Sequence, residues 1–148
     1  MKNRVEVMHG VNLDMLGRRP SEHYGTLSLT ELEVRIGGFG RELGLEMTFS
    51  QTNHEGEFCE LLHRAPGMAD GLILNPGAWT HYSYAIRDAL EVTALPAVEV
   101  HLSAIEGRED WRRASVIRDL CVGVVSGKGV DGYRDALGLL RERFRAEA

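Results

Sequence analysis

Ala97-Val98-Glu99-Val100-His101-Leu102-Ser103 alternates apolar and polar side chains, a pattern that predicts a strand. Because side chains alternate between the two faces of a strand, Glu99 and His101 would lie side by side on one face. One interpretation is a half-buried edge strand with a polar outer face. The other is a histidine that a carboxylate holds in one orientation, which is how a general acid or base is built. The stretch alone leaves both interpretations open.

The bulk properties of the chain are those of one ordinary globular domain. Its 148 residues are a usual domain length, so we expect a single domain over 1–148. A formal net charge of −5 argues against a nucleic-acid partner, since such binding needs clustered basic surface. The N-terminus has no apolar signal core, and no apolar run approaches roughly 18 residues. We therefore expect a cytoplasmic protein without a membrane partner.

Signals for a metal or a cofactor are missing from the sequence. Cys59 and Cys121 are far apart in apolar runs, and we interpret them as small buried hydrophobic residues in a reducing compartment. No Cys/His spacing suggests a metal site. Gly10 follows the first predicted strand without the further glycines of a dinucleotide-binding turn, and there is no phosphate-binding GxxxxGK[ST] motif. We predict chemistry that uses neither metal nor cofactor.

Predicted strands and helices alternate along the chain. The strands cover 4–8, 45–50, 71–74, 97–103 and 122–126, and the helices cover 28–43, 57–64, 80–92 and a last segment from 130 or 133 to 144. Ser28 or Thr30 would cap the first helix and Thr80 the third. We interpret 13–24, rich in Gly, Arg and Pro, as a mobile lid loop. The pattern predicts an α/β fold, with a flavodoxin-like, five-stranded parallel sheet and helices on both faces.

Unusual polar residues follow three of the predicted strands. In open parallel sheets, ligands bind beyond the carboxyl ends of the strands, where the strand order reverses. Segments 9–12, 75–77 and 99–103 leave the first, third and fourth strands, and loop 18–24 carries most of the remaining polar residues of this kind. This coincidence predicts an enzyme.

Proton transfer is the chemistry that these residue types support. The candidates are Tyr24, His101 and His81. A tyrosine acts as a base near neutral pH only when a cation stabilises its phenolate, and Arg19 is close on the same loop. The alternative is that Tyr24 only packs against its neighbours and that Arg19 is solvated, which is the more common situation for any single tyrosine or arginine.

Further polar groups suit an anionic, oxygen-rich substrate. Asn12 and Asn75 could orient water or an oxyanion, although single asparagines are more often turn formers. Ser103 follows a strand and offers a hydroxyl and backbone N–H groups to an anion. The arginines of 108–113 could clamp a carboxylate or simply be solvated. We predict cofactor-free acid–base chemistry on a small molecule.

Five segments then resemble the signatures of a known family. They are GVNLDMLGRRP at 10–20 with YG at 24–25, QTNHEG at 51–56, NPGAWTH at 75–81 with RDAL at 87–90, EVHLS at 99–103 with Arg108 and Arg112, and GVDGY at 129–133. Together, in this order, they resemble the type II 3-dehydroquinate dehydratases over nearly the whole chain. The resemblance implies a flavodoxin-like domain that assembles as a homo-dodecamer built from trimers.

The resemblance also implies a reaction and its catalytic residues. Water would be eliminated in the anti sense from 3-dehydroquinate, through an enolate and without a cofactor, to give 3-dehydroshikimate. Tyr24 would remove the C2 proton with the help of Arg19, and Asn12 would hold a water on the enolate oxygen. His101 would protonate the leaving hydroxyl, and Glu99 would orient His101.

Other matched positions would bind substrate or close the site. The resemblance implies substrate-binding roles for Asn75, His81, Leu102, Ser103 and Arg112. Asp88, on an outward helix face, would reach the site of a neighbouring subunit. Arg108 matches a position associated with the lid.

Several positions depart from the usual pattern of that family. These are His9 and Val11 in place of Asn and Pro, Asp14 and Ala104 each in place of Asn, and Arg118-Asp119 in place of Ser-Pro. Because His9 and Ala104 adjoin the predicted site, a second hypothesis is a dehydratase of the same fold that acts on another cyclic hydroxy acid. A third is a non-catalytic flavodoxin-like binding domain.

Overall fold

A parallel sheet forms the centre of the computed structural model, which describes residues 1–104 and 107–148. Within these residues its five strands are β1 (Arg4–His9), β2 (Glu46–Gln51), β3 (Gly71–Asn75), β4 (Ala97–His101) and β5 (Gly123–Ser126). The α-helices of the same residues are α1 (Ser21–Tyr24), α2 (Leu29–Glu42), α3 (Glu55–Arg64), α4 (Tyr84–Thr93) and α5 (Asp131–Ala146).

The strand order confirms the predicted flavodoxin-like sheet. The strands lie in the order β2-β1-β3-β4-β5, and each neighbouring pair is parallel. The chain order of the strands reverses beside β1, where β2 lies on one side and β3 on the other. The carboxyl ends of β1, β3 and β4 therefore meet at one edge of the sheet, where a ligand crevice is expected.

Two apolar layers hold the helices on opposite faces of the sheet. Ile73 and Val98 belong to the layer that packs under α2 and α5, whereas Leu74 belongs to the layer under α3 and α4. β4 is buried along its whole length between β3 and β5. The edge-strand interpretation of this stretch is therefore wrong, and its two polar side chains point into the protein.

The starts of two helices test the predicted caps. Ser28 caps α2, since its hydroxyl accepts from the Glu31 N–H at 3.2 Å while the Glu31 carboxylate accepts from the Ser28 N–H at 3.1 Å. The Thr80 cap is wrong, because Thr80 is buried within a short 3-10 helix, Gly77–His81. Ser83 caps α4 instead, accepting from the Ile86 N–H at 3.1 Å.

The predicted lid loop contains local structure. A 3-10 helix spans Leu13–Met15, and α1 adds one helical turn that ends at Tyr24. Pro20 lies directly before α1, where the lack of an N–H costs nothing. The segment 13–24, predicted as a lid loop, thus contains two short helices, because proline disfavours helix before itself but not after.

The structure bears on the predicted burial of the cysteines and on the search for a membrane-spanning helix. Cys59 and Cys121 are free and only partly buried, less than predicted, and both pack against the layer under α3 and α4. No helix of the described residues has the length and apolar character needed to cross a bilayer.

Gly10 allows the ends of β1 and β3 to approach each other. Its N–H donates to the Asn75 carbonyl at 2.8 Å. A Cβ at this position would lie 2.3 Å from the Pro76 carbonyl oxygen, which is backbone and cannot turn aside. Only glycine fits here without moving the two segments that carry Asn12 and Asn75.

We expect Gly10→Ala to lower the free energy of unfolding by about 1–3 kcal/mol through overpacking. The matched control is Gly138→Ala in the interior of α5, where an added Cβ meets no atom within 4 Å. That change should raise the unfolding free energy by about 0.5–1 kcal/mol, since alanine favours helix. Urea unfolding at one protein concentration measures both, and a Gly10→Ala protein as stable as Gly138→Ala would contradict the argument.

Candidate active site

A cavity of about 110 Å³ lies at the carboxyl edge of the sheet, between the ends of β1, β3 and β4 and the lid segment. Most of the residues predicted for the site line it: Asn12, Arg19, Tyr24, Asn75, His81, His101, Leu102, Ser103, Arg108 and Arg112. Tyr24 and His101, which are far apart in sequence, therefore face one small space.

A buried carboxylate holds the His101 ring. The Glu99 side chain is fully buried, and its Oε2 accepts from His101 Nε2 at 2.7 Å. Glu99 Oε1 accepts from the Ser115 hydroxyl at 2.7 Å, and Oε2 also accepts from Arg118 Nη2 at 3.2 Å. With Nε2 engaged by Glu99, Nδ1 is the nitrogen of His101 that remains for a ligand.

The surroundings of Glu99 favour its charged form. Burial acts to raise the pKa of Glu99, but the hydrogen bonds from His101 and Ser115 and the positive charge of Arg118 outweigh burial and lower it. The carboxylate is therefore ionised at neutral pH and fixes the Nε2–H tautomer of His101.

Two guanidinium groups contact the phenol oxygen of Tyr24. Arg19 Nη2 donates to it at 2.8 Å, and Arg108 Nη1 donates at 2.6 Å. The guanidinium carbon of Arg19 also lies 3.8 Å from the centroid of the Tyr24 ring. Two positive charges on one oxygen stabilise negative charge there, which is the property that a tyrosine base requires. Sequence reasoning had foreseen Arg19 as the partner but had not placed Arg108 on the same oxygen.

His81 is held as a neutral ring. Its Nδ1 donates to the Ala114 carbonyl at 2.6 Å, and its ring is nearly parallel to the His101 ring with centroids 6.3 Å apart. Burial lowers the pKa of His81, and the charges of His101 and Arg112 act in the same direction, although the Ala114 carbonyl partly opposes them. His81 Nε2 is thus left as a hydrogen-bond acceptor toward the cavity.

Hydrogen bonds hold the backbone of Asn12 and the side chain of Asn75 in place. Asn12 has a left-handed backbone (φ 68°), and its N–H donates to Asn53 Oδ1 at 2.8 Å. Asn53 Nδ2 in turn donates to Asp14 Oδ2 at 3.1 Å. The Oδ1 of buried Asn75 accepts from the Gly77 N–H at 3.2 Å.

Two predicted site residues lie outside the cavity of this chain. Glu99 lies behind His101, to which it is hydrogen-bonded. Asp88 is exposed on α4, and within the described residues it does not line the cavity.

The two substitutions that raised the question of substrate identity also lie away from the cavity. His9 is fully buried on the α2 side of the sheet, with Nε2 3.2 Å from a Glu33 carboxylate oxygen. Neither His9 nor Ala104 is among the described residues that line the cavity. No contact in the described structure therefore gives them a part in substrate recognition.

Sequence reasoning missed three residues that support the site. Ser115 and Arg118 bind Glu99 across 16 and 19 positions of chain, and no local pattern signals such contacts. Asn53 lies in the QTNHEG segment, whose polar composition marked it as a loop without revealing that it holds the Asn12 turn.

The chain is similar to known proteins over nearly its whole length. A family model described as "Dehydroquinase class II" matches residues 3–141. The chain is 48% identical over 144 residues to the 3-dehydroquinate dehydratase of Pelobacter propionicus, covering 97% of each protein. It is 49% identical over 141 residues to that of Thermotoga maritima, covering 95% of this chain and 96% of the relative.

The fold is similar to solved structures with related sequences. The crystal structure of type II dehydroquinase from Propionibacterium acnes superposes with a TM-score of 0.89 at 39% identity, covering 96% of this chain and 98% of that one. The type II dehydroquinase from Butyrivibrio crossotus superposes with a TM-score of 0.90 at 38% identity, covering 94% and 97%.

The contacts of His81 predict its protonation state. A lowered pKa favours the neutral ring, so His81 should stay neutral at pH 7 and protonate only below the ordinary histidine value of 6.5, with its proton on Nδ1. Nitrogen-15 NMR of the histidine rings distinguishes Nδ1–H from Nε2–H, and His81→Asn assigns the signal. An Nε2–H tautomer, or an imidazolium at pH 7, would refute this assignment.

Proposed function

The chain belongs to the class II dehydroquinase family, and from this premise we propose that it eliminates water from 3-dehydroquinate to give 3-dehydroshikimate. The elimination is anti and passes through an enolate, without a cofactor. One observation carries the proposal: a tyrosine bound by two guanidinium groups and a histidine bound by a carboxylate line the same small cavity.

Tyr24 is the proposed base, which takes the proton from C2 of the substrate. The charges of Arg19 and Arg108 stabilise its phenolate before the transfer. The electron pair released at C2 moves into the neighbouring carbonyl and gives the enolate. A water held by Asn12 would donate to the enolate oxygen, where negative charge develops.

His101 is the proposed acid, which protonates the leaving hydroxyl. The Nε2–H is committed to Glu99, so Nδ1 delivers the proton. Collapse of the enolate forms the carbon–carbon double bond and expels water. Tyr24 ends protonated and His101 ends deprotonated, and exchange of one proton through solvent restores both.

The remaining lining residues match the other groups of the substrate. The proposed binding residues are Asn75, His81, Leu102, Ser103 and Arg112. Arg112 supplies positive charge for the carboxylate, and the chain after β4 offers the Ser103 hydroxyl and backbone N–H groups. His81 Nε2 accepts from a substrate hydroxyl, and Asn75 Nδ2 donates to one.

The test is a progress curve of the purified protein with 3-dehydroquinate, followed by the near-ultraviolet absorbance of the enone. We expect Tyr24→Phe and His101→Ala each to lower kcat by about 10²–10⁴-fold, the usual contribution of a general acid or base. Tyr82→Phe and His63→Ala, which change exposed residues of the same types, should retain activity. Absence of product at high concentrations of the parent protein would overturn the proposal.

We also propose that the chain assembles as a homo-dodecamer built from trimers. Asp88 is exposed on α4, and Tyr84, one helical turn earlier on the same face, is 67% exposed. An exposed aromatic residue beside a carboxylate is a usual composition for a contact between copies. In the proposed assembly, Asp88 completes the site of a neighbour.

Light scattering should give a mass about twelve times that of the 16.5 kDa chain. If Asp88 completes a neighbour's site, Asp88→Asn should lower kcat/KM by about tenfold or more without changing the mass, since a charge-assisted contact contributes about 1.5–3 kcal/mol. Glu142→Gln, a similarly exposed carboxylate on α5, should change neither. A monomer that is fully active at assay concentration would contradict this arrangement.

The cytoplasm is the proposed location. Cys59 and Cys121 are both free, as is usual in a reducing compartment. Burial raises the pKa of the Cys121 thiol to about 12, so this residue has little thiolate to react.

A further inference from the structure

We propose that Arg118 is a positioning residue that weakens the hold of the Glu99–His101 pair on its proton and so makes His101 a stronger acid. This inference deepens the proposed function and rests on it for its catalytic meaning. The observation behind it is that His101 and Arg118 donate to the same oxygen of Glu99. Glu99 Oε2 accepts from His101 Nε2 at 2.7 Å and from Arg118 Nη2 at 3.2 Å.

The shared oxygen makes two cations compete for one negative charge. An imidazolium at His101 draws its stability from the Glu99 carboxylate beside it. Arg118 carries a permanent positive charge on the same oxygen, so it takes up part of that attraction and adds repulsion toward the imidazolium. The Arg118 side chain is 39% exposed, so water screens part of this effect.

Arg118 is held in place by the same segment that holds the other oxygen of Glu99. The Arg118 N–H donates to the Ser115 hydroxyl oxygen at 3.2 Å, and that hydroxyl donates to Glu99 Oε1 at 2.7 Å. Arg118 also begins a short 3-10 helix, Arg118–Leu120. One turn of chain between β4 and β5 thus supplies a hydroxyl donor to one oxygen of Glu99 and a guanidinium donor to the other.

Other charged or titratable groups face the pair from several elements. They are His81 from the 3-10 helix after β3, Arg112 from the 3-10 helix Asp110–Arg113, Tyr24 with Arg19 and Arg108 across the cavity, and Cys121 behind Glu99. Among the described residues, Arg118 is the arginine that forms an ion pair with Glu99. Its removal should therefore alter the pair most directly.

The test is a titration of the His101 ring by NMR in carbon-13 histidine-labelled, full-length protein, with His101→Asn to assign the signal. In Arg118→Gln, the midpoint of the His101 titration should rise by roughly 0.5–1 pH unit, since a nearby like charge has been removed. Arg118→Met, neutral and of similar length, should give the same rise. Arg118→Lys retains the charge and should stay close to the parent.

Arg145→Gln is the matched control. It removes an arginine that is 65% exposed on α5 beside the first residues of the chain, at the other edge of the sheet. We expect no shift of the His101 titration in this variant. A midpoint that stays constant or falls in both neutral Arg118 variants, or that moves equally in Arg118→Lys, would overturn the role of Arg118.

Activity separates this inference from the proposed function. The alkaline limb of the pH profile of kcat/KM should move upward in Arg118→Gln by the same amount as the titration, because that limb reports loss of the proton from the acid. A uniform loss of kcat with no movement of the profile indicates a merely structural role and overturns the inference. If the parent does not dehydrate 3-dehydroquinate, the proposed function fails, while the NMR titration still decides what Arg118 does.

Discussion

A fully buried carboxylate at the end of β4 constrains the rest of the site. A charge removed from water is stable only when hydrogen bonds and opposite charge replace the lost solvation. Glu99 receives this from the neighbouring strand residue His101 and from Ser115 and Arg118 beyond the strand. The same requirement orients the imidazole and ties the segment before β5 to the sheet. The stability of the buried carboxylate and the orientation of the imidazole thus depend on one set of contacts.

The parallel sheet brings the proposed base and the proposed acid together. Tyr24 comes from the segment after β1, and His101 ends β4, so only the convergence of strand ends places both on one cavity. The close contact of Gly10 with Pro76 fixes the distance between two of these ends. In turn, Asn53 from the end of β2 holds the Asn12 turn. The precision of the site therefore derives from the backbone, and the segment 13–24 supplies the tyrosine.

Much of this arrangement could be predicted because it depends on local patterns. The alternation in 97–103 correctly placed Glu99 and His101 on one face, and the capping box at Ser28 is a signal contained in four residues. The start of α4 could not be predicted, because both Thr80 and Ser83 can cap a helix. Burial of Thr80 in the turn after β3 decides between them, and that burial is a property of the folded chain.

Contacts between charged side chains were the hardest to foresee. Arginine is long and flexible, so its position in the sequence says little about where its guanidinium lies. Arg108 reaches a phenol oxygen 84 residues away, and Arg118 reaches a carboxylate on another element. Both contacts follow from electrostatic attraction, since the Glu99 carboxylate and the Tyr24 oxygen, when negatively charged, attract nearby guanidinium groups.

In the proposed mechanism, the contacts of Glu99 are present in two protonation states of His101 during one turnover. Before the proton leaves His101, the imidazolium and Arg118 both balance the carboxylate. After it leaves, the neutral ring still donates Nε2–H, but Arg118 is the positive charge that remains in contact with Glu99 among the described residues. A cation that stays in place therefore stabilises the state after the transfer more than the state before it. In the role proposed for Arg118, its contact with Glu99 offsets part of the attraction by which the carboxylate would keep the proton on His101.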